Sequence, residues 1–350
     1  MNEIMPKLII HVGMPKAGST ALQERLSSLR GDLIDEGVLY PSTRTVNHNF
    51  LIAGAEPAYA LPRILRQHYR GDEGAVREDF IAFWGDILTQ SATLQPRVIV
   101  MSGEYLWRIT RAGAARLARL LRELSDDIHL VCYVRRPSDF FLSQIQQVLK
   151  ASHRLPKLGG VSYRANIESL GMLGRVHVHA YQRSDFPGGD VCLDFSERYL
   201  GDSDRLKPKH GLPTANESIS SEAMAILHEY RRTVHSKKAS QFTRDTSRLV
   251  AALKVLSAGD KPQLREDAKQ MIDQSSTDLT WLYETHGVTF TGIDYGHIEA
   301  RDHRKIRVVS DVCVIDERKK NNLMIGLLNY AFSSGDDGPL SFREIYKRRA

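Results

Sequence analysis

The stretch "KLIIHVGMPKAGST", residues 7 to 20, constrains this chain more than any other. Its first seven residues are a short β-rich run ending in glycine. A helix is expected directly afterwards, from Ser19 to about Leu29, with Leu22 and Leu26 on one face. A strand that turns through glycines into a helix aims backbone N–H groups at one point. The positive end of the helix dipole adds to them, so this piece of chain builds an anion site. Gly13 and Gly18 hold the frame of the phosphate loop G-x-x-x-x-G-K-[ST], and Thr20 stands where that motif ends. Ser19 occupies the motif's lysine position, and the lysine has moved forward to Lys16. Both glycines are expected to supply φ freedom. Ser19 and Thr20 can donate hydroxyls to phosphate oxygens, and Lys16 can reach a bridging oxygen of a bound anhydride.

The rest of the first 200 residues alternates in the same manner. "GVLYP" reads as a short extended piece stopped by Pro41, and residues 42–74 as polar and irregular. "AVREDFIAFWGDILTQ" has helical periodicity through Phe80, Trp84 and Ile87, "RVIVMSGE" is a buried-strand pattern, and "AARLARLLREL" is a helix. "IHLVCYV" is the strongest strand pattern, and it runs into "RRPSDFFLSQIQQVLK", a turn and then a helix beginning near Pro137. "RVHVHAY" is a further strand. Alternation of this kind argues for an α/β fold, a parallel sheet covered by helices. The pattern changes after about residue 205. A polar connection, "RLKPKHGLPTANES", leads to helical patterns at 219–236, 244–257 and 262–286 and to one strand candidate, "IRVVSDVCVI". The expected organisation is an α/β core over 1–205 that carries the nucleotide site, and a mainly helical extension over 206–350 packed on it within one globular unit.

Composition sets outer bounds. The chain has 350 residues, 42% hydrophobic and 26% charged, enough apolar material for a sizeable core. Its net charge of +6 suits anionic ligands but is too diffuse to argue for nucleic acid. Cys132, Cys192 and Cys313 are far apart, and no pair has metal-ligand spacing, so reduced structural thiols and a cytoplasmic setting are expected. No segment reaches the ~18 apolar residues of a membrane span. The N-terminus enters a strand with no signal-peptide apolar region.

A loop NTPase places lysine beside the Ser or Thr and needs an acidic residue at a strand end to hold Mg²⁺. Here the strand "IHLVCYV" ends in Arg135 and Arg136, which would attract a second anion instead of a metal. "PKAGST" together with "YVRRPSDFFLSQ" resembles the sulfotransferases that use 3′-phosphoadenosine 5′-phosphosulfate (PAPS). Their 5′-phosphosulfate loop reads P-K-[ST]-G-[ST]-[ST]. Their 3′-phosphate element is a strand, then R-x-P, then a Ser eight residues after the Arg. Arg135, Pro137 and Ser143 meet that second pattern, and Ala17 departs from the first by one hydroxyl. "ANESIS" near residue 215 is similar to a segment of bacterial members. The resemblance implies a P-loop-type sheet. It implies that Lys16, Ala17, Gly18, Ser19 and Thr20 cradle the 5′-phosphosulfate, and that Arg135 and Ser143 hold the 3′-phosphate. PAPS would be the donor and 3′,5′-adenosine bisphosphate (PAP) the product, with no metal required. Lys16 would stabilise charge on the bridging oxygen as the S–O bond breaks.

Attack by an acceptor hydroxyl needs a general base. Glu104 follows the strand in "VIVMSGEYLW", at the edge where open α/β sheets bind ligands, and stands first. His48, in the polar loop "TRTVNHNFLIAG", stands second. The polar loops and the aromatics Trp84, Trp107 and Tyr105 point first to a carbohydrate acceptor, with a protein tyrosine, a lipid or a small metabolite as the alternatives, although Trp84 at helical spacing also reads as core. His177 and His179 alternate on one face of a strand without a third metal ligand, which favours a structural role. The basic "RLKPKH" reads as a solvated linker or a contact to an anion. Two readings of other classes stand beside the sulfotransferase: a P-loop kinase or NTPase with a displaced lysine, and a non-catalytic anion- or glycan-binding protein.

Overall fold

Five apolar runs become the five strands of one all-parallel sheet in the computed structural model, which describes residues 5–208, 218–238 and 240–333. They are β1 (Lys7–His11), β2 (Val38–Leu39), β3 (Val98–Ser102), β4 (Ile128–Val134) and β5 (Arg175–Ala180), in the order β2-β3-β1-β4-β5. Parallel strands flanked by helices are buried on both faces and therefore read as unbroken apolar runs. β4 is the clearest case, with all seven residues buried. β5 closes one edge, where His177 and His179 are only half-buried. The register pairs Ile9 with Val100 on one side and with His129 on the other, so β1 and β3 end level at His11 and Ser102 while β4 runs on from Val131, opposite His11, to Val134.

This strand order creates a switch point. From β1 the chain leaves toward β2 and β3, and from β3 it crosses to β4 and then β5 on the opposite side. β1 and β4 are thus neighbours whose onward connections run in opposite directions. The crevice outside the carboxyl ends of such a pair is the ligand-binding place of open α/β sheets.

The chain divides into two compact units. The first comprises Met1–Arg136, Ser162–Leu212 and Thr277–Tyr295 and holds the sheet. Its helices include Ser19–Ser28, Glu73–Leu94, Arg111–Leu121 and Val191–Leu200. Trp84 is core there, 5% exposed, with its indole N–H donated to Glu123. The second unit comprises Pro137–Val161, Pro213–Ser276 and Gly296–Ala350. It is helical, with Phe141, Ile145 and Leu149 of the helix Pro137–Leu149 packed with Met224, Leu227, Leu253 and Ile272. Its helix Pro137–Leu149 is capped from outside: Asp273 accepts from the Ser138 N–H at 2.9 Å and from the Ser138 hydroxyl at 3.1 Å.

Several expectations need correction. The strand candidate at 306–315 is a 3₁₀ turn, Val309–Asp311, with one bridge from Cys313 to Leu264. Val309, Val312 and Cys313 are buried at helical spacing, and the Asp311 carboxylate accepts from the Arg307 and Val308 N–H groups and holds the turn. The helical pattern at 262–286 is two helices, Glu266–Gln274 and Asp278–His286. The hydroxyls of Ser275 and Ser276 donate back to the carbonyls of Met271 and Ile272 and end the first of them. Residues 42–74 contain two short helices, Leu51–Ala55 and Arg63–Tyr69. A 17-residue helix, Glu317–Ser333, follows, in keeping with the expected helical extension although no pattern singled out this segment. Most of the connection "RLKPKHGLPTANES", including Lys209, His210 and the first three residues of "ANESIS", lies outside the described residues. Among the described residues no helix is long and apolar enough to cross a membrane.

Candidate functional site

The loop after β1 is a tight turn followed by an uncapped helix. The Ala17 N–H donates to the Met14 carbonyl at 3.0 Å, which closes a turn over Pro15 and Lys16. Proline at the second place and a positive φ at the third are the marks of a type II turn. The third place is usually glycine. Here it is Lys16, at φ 70°, a conformation that costs a non-glycine residue about 1–2 kcal/mol. Gly18 follows at φ 81° as the N-cap of the helix Ser19–Ser28, and no side chain caps that end. The first-turn N–H groups of this ten-residue helix are therefore left to solvent or a ligand.

Gly13 serves a purpose different from the φ freedom expected of it. Its φ is not positive, but a Cβ there would stand 1.8 Å from the Ser19 hydroxyl. Glycine is required because Ser19 Oγ occupies the space. That oxygen is buried and, among the described residues, has no hydrogen-bond partner. An orphan hydroxyl at a helix N-terminus is what an anion's oxygen would satisfy. Thr20 is exposed, and Ala17 is fully buried.

Arg135 and Arg136, together at the end of β4, are used differently. Arg135 Nη1 donates to the Lys16 carbonyl at 3.1 Å, and its guanidinium lies 5.9 Å from the centre of the Tyr181 ring. The Tyr163 hydroxyl donates to the Arg135 carbonyl at 2.8 Å. Arg135 therefore belongs to the loop's own surroundings. Arg136 donates instead to the carbonyls of Thr291 and Gly292, at 2.8 and 3.2 Å, and ties down that segment. Ser143 is half-buried on the helix Pro137–Leu149 of the second unit.

Glu104 opens a 3₁₀ turn, Glu104–Arg108, two residues past β3. Burial raises its pKa above the ordinary carboxylate value, and the nearby Lys16 charge draws it partly back. The two residues are thus electrostatic neighbours at the same sheet edge. Tyr105 is raised by burial and by the Glu104 charge. Trp107 is buried in the same turn.

His48 is placed differently. It is fully buried, with burial holding its pKa down to about 3. Nδ1 accepts from the Ser102 N–H at 3.1 Å, and Nε2 lies 3.1 Å from the Pro41 carbonyl. One nitrogen accepts an amide proton and the other donates to a carbonyl, so neither is available to take a proton from a substrate.

Two residues missed by sequence reasoning belong here. Tyr181, just past β5, packs its ring where a Gly18 Cβ would stand and carries Arg135 over its face. Its position at a strand's carboxyl end was the available signal. His11 ends β1 and is buried. Its Nδ1 lies 2.8 Å from the Ser102 hydroxyl, which also receives the Gln23 side-chain amide at 3.0 Å. His177 and His179 are engaged separately, His177 with His129 at 2.8 Å and His179 with the Tyr199 hydroxyl at 2.5 Å. Among the described residues no group of three or more His, Cys, Asp or Glu side chains is arranged to hold a metal ion. No protein-family model matches this sequence, and no curated protein sequence matches it.

Proposed function

We propose that this chain is a sulfotransferase that moves a sulfuryl group from PAPS to a hydroxyl or amine of a carbohydrate acceptor. The observation that carries the reading is the convergence of three features at the β1–β4 switch point. These are the uncapped loop with its orphan Ser19 hydroxyl, Arg135 bonded to that loop, and Lys16 held in a left-handed conformation beside Glu104. Strained backbone persists where the surroundings hold it, and such places concentrate at working sites.

In this reading the 5′-phosphosulfate rests on the N–H groups of Gly18 to Thr20, because the Ala17 N–H expected to join them is held by the Met14 carbonyl. Glu104 takes the proton of the acceptor O–H as the oxygen bonds to sulfur. The S–O bond to the 5′-phosphate breaks in line, and PAP leaves with the electron pair. Lys16 and the helix N-terminus stabilise the charge that grows on the bridging oxygen. The sulfuryl group is less charged than a terminal phosphate, so this chemistry does not call for a metal. Arg135 supplies the planar donor set for the 3′-phosphate. For Ser143 the support is the resemblance alone, through the spacing of the R-x-P element. The geometry favours Glu104 over His48 as base, because only Glu104 has proton-accepting capacity to spare. We place the protein in the cytoplasm, a setting consistent with three buried, unpaired cysteines.

The test is calorimetry of PAP with EDTA present, beside ADP and ATP with Mg²⁺. Metal-free binding of PAP at least ~10-fold tighter than ADP is expected. A preference for Mg-ATP would replace this reading with a kinase. Binding of no nucleotide would leave an anion- or glycan-binding protein.

A further inference from the structure

The turn that carries Glu104 has its own scaffold. Ser102 and Gly103 connect β3 to that turn, and His48 grips them from both sides. The His48 N–H donates to the Ser102 carbonyl at 2.7 Å, and the Ser102 N–H donates to His48 Nδ1 at 3.1 Å. The ring cannot swing away. Nε2 is tied to the Pro41 carbonyl, and the Tyr40 ring packs edge-on at 4.8 Å. Past the grip, a Cβ on Gly103 would meet the His48 carbonyl at 3.1 Å, and the Gly103 N–H donates to the His11 carbonyl at 3.0 Å. The adjacent Asn49 adds a third tether, its side-chain oxygen accepting from the Tyr105 N–H at 3.4 Å.

We infer that His48 is a positioning residue, whose reciprocal bonds with Ser102 fix the backbone from which Glu104 emerges beside Lys16. The inference rests on the sulfuryl-transfer reading only for what Glu104 does once in place. A neutral imidazole suits the task, because Nδ1 must keep a lone pair for the Ser102 N–H. Burial and the Arg30 charge both disfavour its protonation, against its bonds to Pro41 and Ser102. Among the described residues the charged and titratable neighbours are Arg30 and Tyr40 on the His48 side, His11 at the Ser102 hydroxyl, and Lys16 and Tyr105 on the Glu104 side.

The experiment is a ¹³C-carboxylate NMR titration of Glu104 in the full chain, for wild type, His48→Asn and His48→Ala. The asparagine side-chain oxygen can replace Nδ1 as acceptor, so Glu104 in His48→Asn should titrate as in wild type, above the ordinary carboxylate range. In His48→Ala the turn loosens, and the midpoint should fall toward the ordinary value. The acidic limb of the rate profile should move with it, and turnover should drop ~10–100-fold, the scale of a catalytic group displaced by about 1 Å. If His48→Ala does not fold, Asn49→Ala reads the same coupling, with the Glu104 midpoint moving in the same direction. An unchanged Glu104 midpoint in a folded His48→Ala protein, or in Asn49→Ala where His48→Ala does not fold, would overturn the inference. So would a His48→Asn protein that has lost its acidic limb while Glu104 titrates normally, since His48 would then be the base. The titration needs neither donor nor acceptor, so failure to bind PAP would remove the sulfuryl-transfer reading without touching this result.

Discussion

The two edges of the sheet treat polar groups in opposite ways. At the amino edge, Asp127, His129 and His177 form a closed chain, with Asp127 to His129 at 2.9 Å and His129 to His177 at 2.8 Å. At the carboxyl edge, His11 Nε2 and Ser19 Oγ are buried without partners among the described residues, Lys16 is held at positive φ, and no side chain caps the helix N-terminus. Buried polar atoms are ordinarily satisfied, and a chain leaves them unsatisfied where something else is meant to meet them. On the proposed reading, one edge is built for stability and the other for a ligand.

Acid should separate the edges most. Burial holds His11 and His48 down to about 3 from an ordinary 6.5. Between those values the unfolded chain binds protons that the folded chain refuses, so stability falls as pH drops below about 6.5. Each ring approaches about 1.4 kcal/mol per pH unit below its unfolded value and half of that at pH 6.5, so the pair contributes about 3 kcal/mol between pH 6.5 and 5. His177, only partly buried, contributes less. Urea unfolding at pH 7, 6 and 5 measures this, and His11→Asn should remove about half of the pair's slope. If His11→Asn and His177→Asn flatten the curve equally, the edges do not differ in this respect.

Lys16 comes next. Lys16→Ala should lower turnover of PAPS ~10²–10³-fold, the scale of a lost charge-stabilising donor. Steady-state release of PAP reads this, and a loss below tenfold would remove Lys16 from the chemistry.

The arginine pair sharpens the comparison within a single strand end. Arg135→Ala should weaken PAP ~10–100-fold, as expected for a lost charged hydrogen bond to phosphate, and should leave ADP nearly unaffected. Arg136→Ala should leave PAP affinity alone and lower stability by about 1–2 kcal/mol through the loss of its two carbonyl contacts. Calorimetry and thermal melts on both proteins check this. Equal losses of PAP affinity would mean that the pair acts as one site.

Much of this contrast was legible in the sequence, for reasons of range. The strands announce themselves because buried parallel strands are continuous apolar runs, and "IHLVCYV" coincides with β4. The loop is legible because a strand, its glycines and the following helix are contiguous. What failed was whatever depends on distant partners. His48 looks like a loop histidine until the fold brings it against Ser102, 54 residues away. The R-x-P spacing singles out Arg135 over Arg136 only by resemblance, and the fold gives them different partners, the Lys16 carbonyl for Arg135 and the Thr291 carbonyl for Arg136. The need for glycine at position 13 comes from the Ser19 hydroxyl, which a φ argument cannot find. In "IRVVSDVCVI" a β-rich composition hid helical spacing of the buried residues, which a two-residue alternation test would have exposed.

The smallest effect is the most direct test of the strain at the carboxyl edge. Lys16 and Gln95 both adopt the left-handed conformation, Lys16 at φ 70° in the loop and Gln95 at φ 45° as the C-cap of the helix Glu73–Leu94 just before β3. Glycine carries no Cβ penalty there but adds freedom to the unfolded chain, so either substitution should gain about 0.5–1 kcal/mol net. At Gln95 the gain should come without functional loss, because a helix C-cap is a common place for this conformation. At Lys16 the same gain should accompany loss of turnover. Lys16→Ala, which keeps the backbone penalty, should lose turnover with no gain in melting temperature. A Lys16→Gly protein no more stable than Lys16→Ala would show that the loop's conformation is unstrained and that the lysine is there for its charge alone. A gain at both positions, with function lost only at Lys16, would show that the chain carries backbone strain at the carboxyl edge to keep an ammonium group at the ligand.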